Sequence, residues 1–396
     1  MSALPDLHAA EPIPDSAAAE IAALLQSGDL FRYTTPGAPA ARLEAAFADM
    51  MGVSYALAVN SCSSALFLSL KALGLGPGDK VVIPAFTFAA VPSAIVHAGC
   101  EPVLVNVGAN YRIDLGDFEA RLDGASAVII SHMRGHTSNM DAIQRLCDAR
   151  GLPLIEDAAH SLGTTWNGRK IGTLGRVGCF SYQSYKLVNA GEGGMLITDD
   201  AEIAARAVIM SGAYEANWKK HPRVSDLAEH WRTRLPLYNL RINNLSAVVA
   251  LSQLDQVADR AARGRANHDQ LAARLHQTGV LSVPDSLPGE VRAPDSLQFN
   301  LIGFDDNQTR QFRDAALAQG LDVQIFGLAT QNARAFWNWN FIPPQTGLEP
   351  TRTMLMRACD VRLPARLTPG EVDAIADVLI QAVDAALGPR DEARRA

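Results

Sequence analysis

Between residues 55 and 198 the chain repeats one pattern: a short apolar run, a polar or glycine turn, then a longer stretch with helical spacing. The apolar runs fall at 55–60, 81–84, 102–107, 127–131, 153–157, 178–183 and 195–198. Two of them, Ala-Val-Ile-Ile at 127–130 and Pro-Leu-Ile-Glu at 153–156, lack polar alternation, as strands buried on both faces do. Strands that alternate with helices predict an α/β fold with a mostly parallel sheet. In such sheets ligands bind beyond the carboxyl ends of the strands, so candidate chemistry is sought there.

After residue 198 the pattern changes. Helices are predicted at 201–210 and 245–275, the second long, alanine-rich and broken near Gly264. The segment 278–363 holds a strand-like run at 296–304 and an aromatic cluster at 336–341, expected in a small-domain core or as a wall over a pocket. The last helix has readable ends: Thr368 as N-cap, Pro369 in the first turn, Glu371 closing a capping box and Gly388-Pro389 as a stop. The predicted organisation is an N-terminal segment (1–30), a large domain (31–255), a smaller α/β domain (256–388) and a solvated tail (389–396).

Composition narrows the function classes. Of 396 residues, 48% are apolar and 19% charged, enough for a large core and too apolar for global disorder. Thirty-five basic against 42 acidic side chains give a net charge of −7, which argues against nucleic-acid binding through bulk charge. Five scattered cysteines with no C-x-x-C pair make a poor disulfide framework, and a reducing, cytoplasmic setting is expected. The first 15 residues do not read as a signal peptide, and the apolar segment 81–99 is interrupted by Pro84, Pro92 and His97, so no membrane partner is expected.

Three stretches carry candidate chemistry. Asn60-Ser61-Cys62-Ser63-Ser64 joins a strand to an apolar helix, and free N–H groups at a helix start beside serine hydroxyls suit a phosphate; an ordinary N-cap reads the same way. No basic partner for a nucleophilic Cys62 is evident. Glu156-Asp157 ends an apolar strand, where alternation lets only one carboxylate face a site. A buried carboxylate needs a cationic or hydrogen-bonded partner, which a protonated ring nitrogen of a cofactor or a helix cap would supply. Lys186 follows an aromatic-rich strand and precedes Gly191-Glu192-Gly193-Gly194; a desolvated lysine there becomes a nucleophile toward aldehydes, and an exposed one does not.

The order of phosphate cradle, carboxylate and lysine resembles the DegT/DnrJ group of pyridoxal-phosphate-dependent aminotransferases of fold type I. The resemblance covers about 31–369 and includes Gly76-Pro77-Gly78-Asp79, Pro84-Ala85-Phe86-Thr87-Phe88, Asp157-Ala158-Ala159-His160, Ser181 to Lys186, and Tyr238-Asn239-Leu240-Arg241-Ile242-Asn243. It implies that Lys186 carries the cofactor and shuttles a proton, and that Asp157 pairs with the pyridine nitrogen. It further implies that Phe88 stacks on the ring with His160 on the other side, and that Ser63, the Ser64 backbone and Ser181 hold the phosphate. Asn239 would reach the phosphate of a second copy in a homodimer. The implied activity moves an amino group from glutamate or glutamine to a ketone or aldehyde, a keto-sugar or natural-product intermediate. A carboxylate-bearing non-sugar substrate, a lyase reaction and a non-catalytic cofactor-binding regulator are the alternatives. Sugar dehydratases of this group have histidine where this chain has Lys186, so transamination is expected.

Three positions depart from the resemblance. Arg134 stands where an aromatic or apolar residue is usual, Asn106 where aspartate is common and Cys62 where glycine is common. Arg134, helped by Arg32, is a candidate for recognising a substrate carboxylate through paired hydrogen bonds, with a salt bridge to a neighbouring loop as the alternative. His132 and His136 lack the further ligands a metal needs, so no metal is expected.

Overall fold

The structure of the chain, a computed structural model, describes residues 4–224, 226–331 and 333–388. The expected tail at 389–396 lies outside the described residues.

The first apolar runs form strands β1 (Tyr55–Val59), β2 (Lys80–Pro84), β3 (Glu101–Val105), β4 (Ala127–Ser131) and β5 (Leu154–Asp157). A two-residue pair, β6 (Thr165–Trp166) and β7 (Arg169–Lys170), precedes β8 (Val177–Ser181) and β9 (Gly194–Thr198). Seven of these make one sheet in the order β1-β9-β8-β5-β4-β2-β3. The pairs β2–β3, β2–β4, β4–β5 and β5–β8 are parallel, whereas β9 runs antiparallel to both β1 and β8. Helices cover both faces, so the middle strands bury both sides, and each buried Val, Ile or Leu contributes roughly 1.5–3 kcal/mol.

A second sheet follows. Its strands are drawn from β10 (Leu281–Ser282), β11 (Glu290–Val291), β12 (Ser296–Leu301), β13 (Gln324–Ile325) and β14 (Ala358–Arg362). The order is β10-β12-β14-β13, all antiparallel, while β11 leaves this sheet to pair with β6. The helices Val257–His276 and Pro369–Leu387 pack over a core that includes Leu271, Phe299, Phe312 and Leu379. Thr368 and Glu371 form the expected capping box.

Two expectations are corrected. The long helix breaks at 252–256, between Asn244–Leu251 and Val257–His276, because a 3-10 turn at Leu254–Gln256 intervenes. Gly264 sits inside the second helix instead, where a Cβ would lie 2.6 Å from the Pro294 carbonyl oxygen, so glycine admits a close loop there. The aromatic cluster also packs elsewhere: buried Trp339, with Phe336 against it, joins the core under the large sheet, and Phe341 is exposed. Among the described residues, no helix is long and apolar enough to cross a membrane.

Candidate active site

Because only β9 opposes the other strands of the large sheet, the carboxyl ends of β1, β2, β4, β5 and β8 share one edge. A cavity of about 690 Å³ opens there. Ser61, Cys62 and Ser63 enter it after β1, Phe88 after β2, and Arg134 after β4. Asp157 and His160 enter it from β5, and Ser181 and Lys186 from β8.

The phosphate-type turn is built by capping. Ser61 is the N-cap of the helix Cys62–Ala72, and its hydroxyl accepts the Ser64 N–H at 3.1 Å. Ser64 donates its own hydroxyl to Asn60 at 2.6 Å and is buried outside the cavity, so both its N–H and its side chain are taken. Ser63 is exposed into the cavity. Gly194 runs so close beneath this turn that a Cβ would lie 2.5 Å from the Ser61 carbonyl carbon and 2.6 Å from the Cys62 nitrogen.

Alternation on β5 separates the two carboxylates. Glu156 turns away, fully buried, and accepts the N–H groups of Gly172, Leu174 and Gly175, with His132 Nε2 at 3.0 Å. Asp157 faces the cavity and accepts the Ser131 hydroxyl at 2.7 Å and the Ala159 N–H at 3.2 Å. The Cys62 thiol donates to it at 3.7 Å, and burial holds that thiol protonated, well above its usual range. Cys62 is therefore a neighbour of Asp157 and no nucleophile.

Lys186 Nζ lies 2.6 Å from His160 Nε2, and His160 Nδ1 lies 2.9 Å from Asp295 Oδ2. Burial pulls the Lys186 amine down to about 8, with the Asp295 carboxylate opposing and Arg134 assisting. Burial, followed by the Lys186 charge, pulls His160 down to about 3, so the ring is neutral at pH 7. Burial would raise the Asp295 carboxyl, but His160, Lys186 and Arg134 hold it well below the usual carboxylate range.

Arg134 sits at φ 55° in the 3-10 turn Met133–Gly135, a left-handed backbone that a non-glycine residue seldom adopts. Its guanidinium meets Asp360 of β14 at 2.7 Å, and both side chains are buried. Arg334 and Arg362 line the same wall, the latter over the Tyr185 ring at 4.5 Å. Arg32 is corrected: it is fully buried outside the cavity, donating to Ala58 O and Ser211 Oγ and stacked 4.3 Å over Tyr33. Asn239 is exposed and does not line the cavity of its own chain.

Sequence reasoning missed Asp295, Asp360, Arg334 and Arg362, which come from distant loops and β14. It also missed Pro5 to His8, which line the cavity although the first 30 residues carry no recognisable motif. Neither spacing nor residue type announces these contacts.

The model of the DegT/DnrJ/EryC1/StrS aminotransferase family matches residues 13–380. The spore coat polysaccharide biosynthesis protein SpsC of Bacillus subtilis is 35% identical over 269 residues, 67% of this chain and 66% of its own. GDP-perosamine synthase of Caulobacter vibrioides is 33% identical over 282 residues, 69% of this chain and 72% of its own. Among solved structures, 3-amino-5-hydroxybenzoic acid synthase superposes with a TM-score of 0.84 at 25% identity, covering 96% of this chain and 99% of that one.

Proposed function

The chain belongs to the DegT/DnrJ/EryC1/StrS aminotransferase family, and we propose that its cavity holds pyridoxal 5′-phosphate for amino-group transfer. The donor is an amino acid, glutamate or glutamine, and the acceptor a ketone or aldehyde of the keto-sugar or natural-product kind. Relatives whose names specify sugar or ring-amine synthesis support that class.

The donor set fits the cofactor. A poorly solvated lysine, a carboxylate at a strand end and a helix start with serine hydroxyls suit an aldehyde, a ring N–H and a phosphate in turn. When bound, pyridoxal phosphate supplies an aldehyde that bonds amines and a ring that draws electron density from the reacting carbon. Lys186 Nζ would hold the cofactor and, once a substrate amine takes its place, would carry a proton to and from the substrate carbon. Asp157, steadied by Ser131 and the Ala159 N–H, would accept the ring N–H and keep that nitrogen protonated. Ser63 and Ser181 bind phosphate oxygens, and Phe88, 46% exposed into the cavity, offers its face to the ring.

The observation that carries this reading is that Lys186, Asp157 and the capped turn at Ser61–Ser63 line one cavity, where burial pulls the lysine amine down. A second copy completes the site in this reading. Phe31, Tyr214 and Leu237 are exposed, Arg241 stacks on the first two, and the loop bearing Asn239 is tied to β1 through Asn60 N–H and Leu240 O. Asn239 then reaches the phosphate held by the partner copy.

The test is optical. Protein supplied with pyridoxal phosphate gains a visible band that glutamate or glutamine bleaches and Lys186→Ala never forms. A colourless wild-type protein overturns the reading. The carboxylate-bearing acceptor is a second reading, favoured by Arg134 and Arg362, whose buried Nε groups lack hydrogen-bond partners and whose side chains line the cavity.

A further inference from the structure

Residues 4–12 run along the edge of the cavity as an irregular segment with a turn at Leu7–His8. Leu4 and Leu7 pack on the core of the small sheet. Among the described residues, the hydrogen bonds that tie the stretch to the rest of the chain use its backbone carbonyls or Glu11. Arg366 donates its guanidinium to the carbonyls of Asp6 and Ala9, and its N–H to Glu11 Oε1 at 3.2 Å. From the other side, Asn189 donates to Glu11 O at 3.3 Å and Arg260 to Pro12 O at 2.8 Å. Both ends of the segment are thus held, one by the small sheet and its following loop, the other by the large-sheet loop and the helix Val257–His276. Pro5, Asp6, Leu7 and His8 line the cavity, with Asp6 Oδ1 accepting the His8 N–H at 2.8 Å inside the segment. A second, smaller hollow is lined by Ala9 and Glu11 together with Lys186 and Asp295, so the segment borders the lysine on that side as well.

We propose that Pro5–His8 is the specificity wall of the substrate cavity: acceptors bind between this segment and Lys186, and it limits their length. The proposal rests on the functional reading above, because it takes Lys186 as the point where substrate reacts. The wall is formed by a stretch that lies outside both sheets, and it can be shortened without touching Lys186, Asp157 or the capped turn.

Oxyamines of two sizes test it on the cofactor-loaded protein. Their nitrogen would form the C=N bond to the cofactor carbon that Lys186 holds, both of its hydrogens would pass to Lys186 Nζ, which leaves as the free amine, and the visible band would be lost. In the full chain, methoxyamine bleaches the band at least about tenfold faster than benzyloxyamine, the size discrimination a tight pocket gives. Deleting residues 2–9, which keeps the Glu11 anchor, raises the benzyloxyamine rate about tenfold and the methoxyamine rate less than about threefold. His8→Trp, which fills the mouth in the intact chain, slows benzyloxyamine further. A deletion that leaves benzyloxyamine unchanged, or that speeds both reagents equally, overturns the wall. A full chain that gains no band with pyridoxal phosphate overturns the functional reading, and the wall with it.

Discussion

The Lys186 amine lies 2.6 Å from Nε2 of the His160 imidazole and 3.2 Å from its Nδ1, and Asp295 holds Nδ1 at 2.9 Å. With His160 neutral at pH 7 and its one N–H given from Nδ1 to the Asp295 carboxylate, Nε2 accepts from Lys186 Nζ in both the ammonium and the amine form. Asp295 favours the ammonium and burial opposes it, and burial prevails.

The rate at which the cofactor-free protein takes up pyridoxal phosphate therefore rises with pH through about 8 and levels above it, because only the neutral amine attacks an aldehyde. Asp295→Asn removes the group that favours the charged amine, so the midpoint moves down. Stopped-flow absorbance between pH 6 and 10 measures both. A midpoint near the ordinary 10.5 in the wild type contradicts the burial argument.

Arg134 and Asp360 form a buried pair, so the loss of one partner strands the other. Arg134→Ala costs about 3 kcal/mol in urea unfolding, and Arg134→Met with Asp360→Leu regains most of it. Among the described residues Arg362 makes no such carboxylate contact and instead donates to Tyr185 O at 3.3 Å. Arg362→Gln leaves the melting temperature nearly unchanged and raises KM for carboxylated acceptors alone; an equal rise for neutral acceptors removes the carboxylate reading.

Gly194 lets β9 pass under the start of the helix Cys62–Ala72. A methyl group 2.5 Å from Ser61 has no room, and the obstructing atoms are backbone. Gly194→Ala pushes the capped turn out of place and weakens pyridoxal phosphate binding about tenfold, measured by equilibrium dialysis.

Asn106 donates its amide to Asp117 at 2.9 Å and to Gly347 O at 2.7 Å, and accepts the Thr351 hydroxyl at 2.9 Å. Aspartate cannot donate twice and would face a like charge on Asp117. Asn106→Asp costs about 2 kcal/mol at pH 7 in urea unfolding, and less at pH 4, where a carboxylate there is partly protonated. An unchanged midpoint at both pH values rejects this account of the departure.

Glu44, fully buried, accepts the Tyr33 hydroxyl at 2.7 Å and the Ala58 N–H at 3.0 Å; burial raises its carboxyl to about 7 despite nearby Arg32. The native state thus holds a proton that the unfolded chain releases near 4.5. This contribution to stability is complete below that value and is lost as pH rises to about 7, on the order of 3 kcal/mol. Glu44→Gln flattens that slope in urea titrations across pH 4–8.

The strand runs, the Glu156–Asp157 division, Lys186 and the Thr368 capping box were legible because each rests on neighbours a few residues away. Alternation, capping and turn chemistry act over that range. Asp295, Asp360 and Arg362 were not legible, since they meet His160, Arg134 and the cavity only after the two sheets pack together. Arg32 misled for a related reason: its core partners, Ala58 O and Ser211 Oγ, lie far from it in sequence, so nothing nearby told it apart from a carboxylate-binding arginine. The break before Val257 was misjudged because a glycine inside a helix signals weakness, whereas this one makes room for Pro294.

The opposed carboxylates of β5 set how this chain tolerates length changes during evolution. One added or deleted residue upstream within those four would exchange the roles of 156 and 157, sending the anchor of the Gly172–Gly175 loop into the ligand space and the ligand group into dry packing. Insertions are free to accumulate in surface helices and connecting loops, but this strand has a reading frame of its own.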